Sequence, residues 1–229
     1  MDKKYIISLG GSLIATPQGI DWKFLKKIRQ LVSVRIKKGD KFFIICGGGM
    51  TARNYINAAG KVVAVTSDDS DWLGIHATRL NAHLIRTIFR EIADLEIITN
   101  PTKEFKSKKK LVIAGGWRPG WSTDYVAVML AEKYGVETVI NLSNIDYVCD
   151  KDPSKFKDAK KLSSINWCDF RKIVGNKWMP GLNMPFDPVA SKKAQKLGLK
   201  VAVINGKDIK SLSNYLAGKK FKGTVIKQF

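Results

Sequence analysis

The chain has 229 residues, 45% of them hydrophobic, enough to bury a substantial core in one large or two small domains. Forty Lys plus Arg against twenty Asp plus Glu give a formal charge of +20, a balance that attracts nucleic acid, anionic lipid or small phosphorylated ligands. The three cysteines, Cys46, Cys149 and Cys168, are scattered and show no paired spacing, which argues against a disulfide framework or a structural zinc site and fits a reducing cytoplasm.

Residues 4–9 read as a buried strand, and residues 21–38 as a helix with Trp22, Leu25, Ile28, Leu31, Val32 and Ile36 on one face, closed by Gly39. Residues 41–46 form a second apolar strand that runs into Gly47-Gly48-Gly49, with a short helix at 50–59 after it. A long helix follows from Asp71, which is placed to cap it, with Ile75, Leu80, Leu84, Ile88 and Ile92 at helical spacing. Strands at 95–98 and 111–114 flank a lysine-rich loop. Helix 123–134 and strand 138–142 then extend the alternation.

Past Asp152-Pro153 the pattern loosens into a polar loop, a helix at 167–174 and a loop rich in Pro, Met and Asn up to Pro185. Asp187-Pro188 opens a helix with proline in its first turn. A strand at 201–204, a helix at 208–217 and a strand at 224–226 complete the chain. Regular alternation of this kind implies an α/β fold, a three-layer α/β/α sandwich with a mainly parallel central sheet. We read one domain over residues 1–229, with an N-terminal lobe to about 135 and a C-terminal lobe from about 136. No apolar stretch approaches transmembrane length, and the first apolar run is too short for a signal-peptide core, so a soluble cytoplasmic protein without membrane contact is expected.

Three glycine-rich junctions, at Gly10-Gly11-Ser12, at 47–49 and at 115–120, each follow a strand and lead toward a helix. Glycines there let the backbone approach a ligand, while free amides and the helix N-terminus favour anions. Three such junctions suggest a polyanion held across the carboxyl edge of the sheet. The Walker P-loop string is absent. Residues 47–52 formally satisfy a dinucleotide fingerprint, with acidic residues 68–71 about twenty positions on, but those aspartates open a helix instead of ending a second strand.

More specific are the strings at 7–13 (Ile7 to Leu13), 47–53 (Gly47 to Arg53), 71–82 (Asp71 to Ala82) and 115–124 (Gly115 to Asp124), followed by Asn144-Ile145-Asp146, Asp152-Pro153 and 187–190. In this order they resemble the uridylate (UMP) kinases of the amino-acid-kinase superfamily, most closely the archaeal type, from the first strand to Gly223-Thr224. The resemblance implies transfer of the terminal phosphate of ATP to UMP, with Mg²⁺ arriving on the ATP. It implies that Gly10, Gly11, Ser12 and Gly49 hold the transferring phosphate, that Gly48 approaches UMP, and that Arg53 neutralises charge. Asp71 would contact the acceptor, and the loop Trp117, Arg118, Pro119, Gly120, Trp121, Ser122 and Thr123 would enclose it. Asp124 would orient catalytic cations, while Ser143, Asn144, Cys149 and Asp152 would surround the adenosine. A homo-oligomer, a hexamer built from dimers, is implied as well.

Two departures stand out. Many relatives carry a lysine two residues before the first Gly-Gly pair, where this chain has Ser8; Lys192 is the candidate replacement cation. The family's usual glycine and adenine-side tyrosine are Tyr147 and Cys149. These departures keep open another acceptor (carbamate, acetylglutamate or isopentenyl phosphate) or a non-catalytic nucleotide or oxoanion binder. His76 and His83 share one helix face and read as packing or surface residues. Of six tryptophans most read as core, with Trp117 and Trp121 near a base. The lysines are dispersed over helix tails and loops, which favours a generally basic surface over a nucleic-acid patch.

Overall fold

A computed structural model describes residues 3–176 and 184–228. Its first half runs β1 (Lys4–Leu9), α1 (Gly11–Ile14), β2 (Ala15–Thr16), β3 (Gly19–Ile20), α2 (Trp22–Lys37), β4 (Lys41–Cys46), α3 (Gly49–Gly60), α4 (Ser67–Ile88), β5 (Ala93–Ile98) and β6 (Leu111–Ala114). There follow α5 (Thr123–Tyr134), β7 (Thr138–Ser143), β8 (Val148–Cys149), β9 (Lys161–Leu162), β10 (Ser164–Asn166), α6 (Trp167–Val174), α7 (Pro188–Lys196), β11 (Lys200–Asn205), α8 (Ile209–Leu216) and β12 (Thr224–Lys227).

Eight strands form one sheet in the order β10-β12-β11-β7-β1-β4-β6-β5, parallel except where β12 meets β11. The central strands are apolar at nearly every position because both faces are covered. Ile6, Phe43 and Val112 face a cluster completed by α5, α6 and α7, while Ile7, Phe42 and Ile113 face one completed by α1, α2, α4 and α8. This is the expected α/β/α sandwich. The chain lays β4, β6 and β5 on one side of β1, then returns to place β7 and β11 on the other. Such a reversal leaves a crevice above the carboxyl ends of the strands beside it.

Several local expectations are corrected. Helix α4 starts at Ser67, ahead of Asp71, because Thr66 is extended and its hydroxyl oxygen accepts the Asp69 N–H at 3.1 Å. Asp71 is thereby released from capping. The helix stops at Ile88, and Ile92 lies beyond it. Trp22 is 64% exposed at the first position of α2, and Phe24 takes its expected place in the core. Leu80 is likewise exposed. Among the described tryptophans only Trp167 is fully buried, its indole N–H donating to the Leu199 carbonyl at 2.9 Å. The short strands β2, β3, β8, β9 and β10 went unpredicted, since two or three residues carry no readable period. Most of the Pro/Met/Asn-rich loop, 177–183, lies outside the described residues. Among the described residues no helix is long and apolar enough to cross a membrane.

Candidate active site at the carboxyl edge

Leu9 of β1 lies opposite Cys46 of β4, so the glycine runs that follow leave the sheet side by side. Their backbones interlock. A Cβ on Gly11 would stand 2.6 Å from both the Gly47 carbonyl carbon and the Gly48 nitrogen, and closer still to the Gly49 nitrogen. One on Gly47 would stand 2.5 Å from the Gly11 nitrogen, and Gly49 has φ +59°, a left-handed conformation that glycine adopts without strain. The Gly10 N–H donates to the Leu142 carbonyl at 2.9 Å, joining this pair of loops to the end of β7 beside Ser143 and Asn144.

A fourth junction, Asn205-Gly206-Lys207, was missed in the sequence. Gly206 donates to the Ser143 carbonyl at 2.9 Å, and the Leu13 side chain fills the space where its Cβ would sit. The signal was present: a strand ends in glycine and a helix capped by Asp208 follows.

Helix α4 fixes the other side of the crevice. Asn81 Nδ2 donates to the carbonyls of Gly47 at 2.8 Å and Gly48 at 3.0 Å. Thr78 Oγ1 accepts the Gly116 N–H at 2.6 Å, and Arg79 donates through Nε to the Gly116 carbonyl at 3.2 Å and through Nη2 to the Trp117 carbonyl at 2.9 Å. Asp71 Oδ2 accepts the Gly120 N–H at 2.7 Å; burial raises its pKa, and that hydrogen bond opposes the rise. One helix therefore sets the second and third glycine junctions relative to each other. Within the third, the Arg118 guanidinium lies 4.3 Å from the Trp117 ring centre and 5.8 Å from that of Trp121, which packs 4.1 Å from Tyr125. Pro119 lies between these aromatics in sequence, Ser122 caps α5, and Thr123 is its first residue.

Asp124 follows in the first turn of α5. Its Oδ1 accepts from the Ser8 hydroxyl at 2.7 Å, and its Oδ2 from the Asp187 N–H at 3.1 Å. Asp187 caps α7, accepting the Ala190 N–H, while its Oδ2 is buried without a well-formed hydrogen bond. Burial above all, with the Asp124 charge adding to it against the Ala190 amide, pushes the Asp187 carboxyl up to about 6. Burial raises Asp124 too, against its bonds from Ser8 and Asp187. Asp187 was not among the sequence-derived site residues; Asp187-Pro188 read as the start of a helix and as part of one family string.

The remaining candidates are less gathered. Arg53 is exposed on α3, and its one hydrogen-bonding contact among the described residues is the Met50 sulfur at 3.8 Å, so its charge is not spent on a carboxylate. Lys192 is exposed on α7, and among the described residues no ion pair joins it to Asp124 or Asp187; its neighbour Lys193 pairs with Glu132 at 2.6 Å. Cys149 lies on the β8–β9 hairpin opposite Lys161. Asp152 lies on the same excursion, its carboxylate accepting from the Ser154 N–H at 2.9 Å and hydroxyl at 2.7 Å. His76 and His83 are exposed, His76 beside the Trp72 ring.

A parallel sheet that reverses at its first strand, with glycine loops from both halves meeting above it, is a phosphate-handling α/β architecture. The sequence profile of the Amino acid kinase family matches residues 3–205, and the chain belongs to that family. Within it, the chain is similar to uridylate kinases. It is 34% identical to the uridylate kinase of Methanospirillum hungatei over 96% of this chain and 93% of that one, and 32% identical to that of Pyrococcus abyssi over 97% and 99%. The crystal structure of uridylate kinase from Archaeoglobus fulgidus matches with a TM-score of 0.82 at 28% identity, covering 99% of this chain and 100% of that one.

Proposed function

We propose that the chain is a UMP kinase, moving the terminal phosphate of ATP onto UMP to give ADP and UDP. The observation that carries this reading is the interlock of Gly11 with Gly47, Gly48 and Gly49, which makes one anion cradle from two loops. UMP lies on the β4 and β6 side, bounded by Gly48, Asp71 and residues 117–123. ATP lies on the β7 and β11 side, near Ser143, Asn144 and Gly206, with Cys149 and Asp152 toward the adenosine. Residues to about 135 then form the acceptor lobe and the remainder the ATP lobe. The two phosphate chains approach end to end above Gly10, Gly11, Ser12 and Gly49.

The attacking oxygen of UMP is already ionised, so no side chain needs to remove a proton, and catalysis rests on alignment and charge neutralisation. Arg53 suits the phosphate because its guanidinium forks onto two oxygens and stays charged. Asp124 is held in one rotamer by Ser8 and by the Asp187 amide. The residues present fit a divalent cation, since Asp187 keeps a buried carboxylate oxygen without a well-formed hydrogen bond near Asp124, and oxygen donors suit Mg²⁺. Among the described residues no set of three or more His, Cys, Asp or Glu gathers for a metal. Asp124 and Asp187 would therefore hold Mg²⁺ jointly with nucleotide phosphates and water, where it would neutralise charge on the transferring group. Lys192 is the remaining candidate for the cation missing at Ser8.

The reading includes a cytoplasmic homo-oligomer. Helix α3 buries none of its residues, and Tyr55, Val62, Val63, Trp72 and Leu80 are exposed on α3, α4 and the link between them, which supports assembly through that face. Incubation with Mg-ATP and UMP, carbamate, acetylglutamate or isopentenyl phosphate, following ADP release, tests the activity. Release that depends on UMP is expected. Release with a different acceptor only, or nucleotide binding with no release, would replace the reading.

A further inference from the structure

One row of side chains across the sheet is apolar except at its middle. Ala114, Ile45, Ser8, Asn141 and Val203 are register partners in turn on β6, β4, β1, β7 and β11. They face α5 and α7, since Ala114, Ile45 and Val203 belong to the core cluster on that side, as do Ile6 and Val139, two residues before Ser8 and Asn141. Ser8 and Asn141 are only 3% and 5% exposed. A polar side chain buried in a sheet covered on both faces costs free energy unless it is hydrogen-bonded, so each of the two needs a partner. Both partners lead to the Asp124 and Asp187 pair.

Ser8 donates directly to the Asp124 carboxylate. Asn141 Nδ2 instead donates to the Pro185 carbonyl at 2.7 Å, 44 positions further along the chain. From there into α7, three consecutive residues are held by different parts of the fold. Asn141 of β7 holds Pro185, the core encloses Phe186 completely, and the Asp124 carboxylate on α5 accepts the Asp187 N–H at 3.1 Å. Asp187 comes two positions after Pro185, and Pro185 and Pro188 each fix a φ angle, so little chain is left to absorb a shift at the Asn141 anchor. On the helix side Asp187 is tied into α7, its carbonyl accepting from the Ser191 hydroxyl at 2.7 Å.

We propose that Asn141 is a positioning residue for phosphoryl transfer: its amide anchors Pro185 and thereby sets the Asp187 carboxylate against Asp124, where the two would share the divalent cation. The proposal rests on the kinase reading given above. An apolar residue at 141 would continue the row as Ile45 and Val203 do, but it would leave the Pro185 carbonyl without its donor and Asp187 untethered on the side away from the helix. Buried as it is, Asn141 offers no surface to a nucleotide. Its effect therefore falls on turnover and not on UMP affinity.

Asn141→Leu keeps the approximate shape of the side chain and removes the donor; Asn141→Ser, too short to reach Pro185 and too small to overpack, repeats the test should the leucine variant fail to fold. Amide hydrogen exchange followed by mass spectrometry, on the full chain without metal or nucleotide, reads the anchor itself. Exchange over residues 186–191 rises on the order of tenfold, while that over residues 116–120 stays as in the parent. Initial rates with Mg-ATP and UMP read the consequence: kcat falls on the order of 10²-fold and the KM for UMP stays within about threefold. Trp167→Phe is the control, removing an equally buried donor from the Leu199 carbonyl at the other edge of the sheet; it lowers the melting temperature and leaves kcat unchanged. Unchanged exchange over residues 186–191, a raised KM for UMP with kcat unaltered, or an equal loss of kcat in Trp167→Phe overturns the proposal. A parent without UMP-dependent ADP release removes the kinase reading, and the exchange result then decides by itself whether Asn141 holds Asp187 in place.

Discussion

Gly11→Ala places a methyl group where two loops already touch. At 2.6 Å from the Gly47 carbonyl carbon and the Gly48 nitrogen, against an ordinary contact of 3.4 Å or more, the loops must part by about 0.8 Å, and further at Gly49. All the clashing atoms are backbone, so no rotamer change relieves them. Overpacking of this kind costs about 1–3 kcal/mol of stability. The larger effect falls on the reaction, because misplacement of aligned groups by about 1 Å lowers a rate on the order of 10²-fold. Gly60→Ala is the control, since nothing lies within 4 Å of its Cβ position and no positive φ is involved. Initial-rate kinetics with ATP and UMP varied in turn, alongside thermal melting, separate the two effects. The expected result is a kcat lowered on the order of 10²-fold for Gly11→Ala and unchanged for Gly60→Ala. A kcat within threefold of the parent for Gly11→Ala, in a folded protein, would show that the two loops do not build one phosphate cradle.

Asp124→Asn keeps the side-chain shape and removes the charge, so we expect turnover to fall about 10²–10³-fold with UMP affinity changed less than threefold; equilibrium binding and initial rates distinguish the two, and an unchanged rate removes Asp124 from the mechanism. The pH dependence of Asp187 has opposite signs for stability and activity. Its folded carboxyl, near 6 against an ordinary 3.8, holds a proton that the unfolded chain has released. Its contribution to stability is therefore fully present below about pH 4 and is lost by about pH 6, a change on the order of 3 kcal/mol. With Asp187 holding the cation as proposed, activity is expected to rise over the upper part of that range as the carboxyl ionises. Denaturant titrations and kcat profiles of Asp187→Asn should show the stability loss abolished; an unaltered stability profile refutes the assignment. Asn81→Leu leaves the Gly47 and Gly48 carbonyls without their donor and should cost about 1–3 kcal/mol with a lowered kcat, whereas a neutral melting temperature counts against α4 as the part that fixes the loops.

Much of the frame was legible because its signals are local. The strands at 4–9, 41–46 and 111–114 and the helices at 123–134 and 167–174 lie where apolar runs and helical spacing put them. Glycine junctions at strand ends pointed to the carboxyl edge where two of them interlock, and the family strings suggested the roles proposed above. What escaped depends on contacts distant in sequence. Whether Asp71 caps a helix or grips the Gly120 amide is decided by Thr66 and Asp69 on one side and a loop 49 residues away on the other. Asp187 gains its raised pKa from burial and from Asp124, 63 positions earlier.

The reversal at β1 divides labour between successive stretches of the polypeptide. Loops after β4 and β6 come from earlier sequence, those after β7 and β11 from later sequence, and β1 is the seam between them. Mutation can therefore remodel one pocket while the other is inherited intact, provided that the glycines along the seam are kept. An ancestor with this topology could acquire new phosphate acceptors by exchanging a few loops while keeping the same donor.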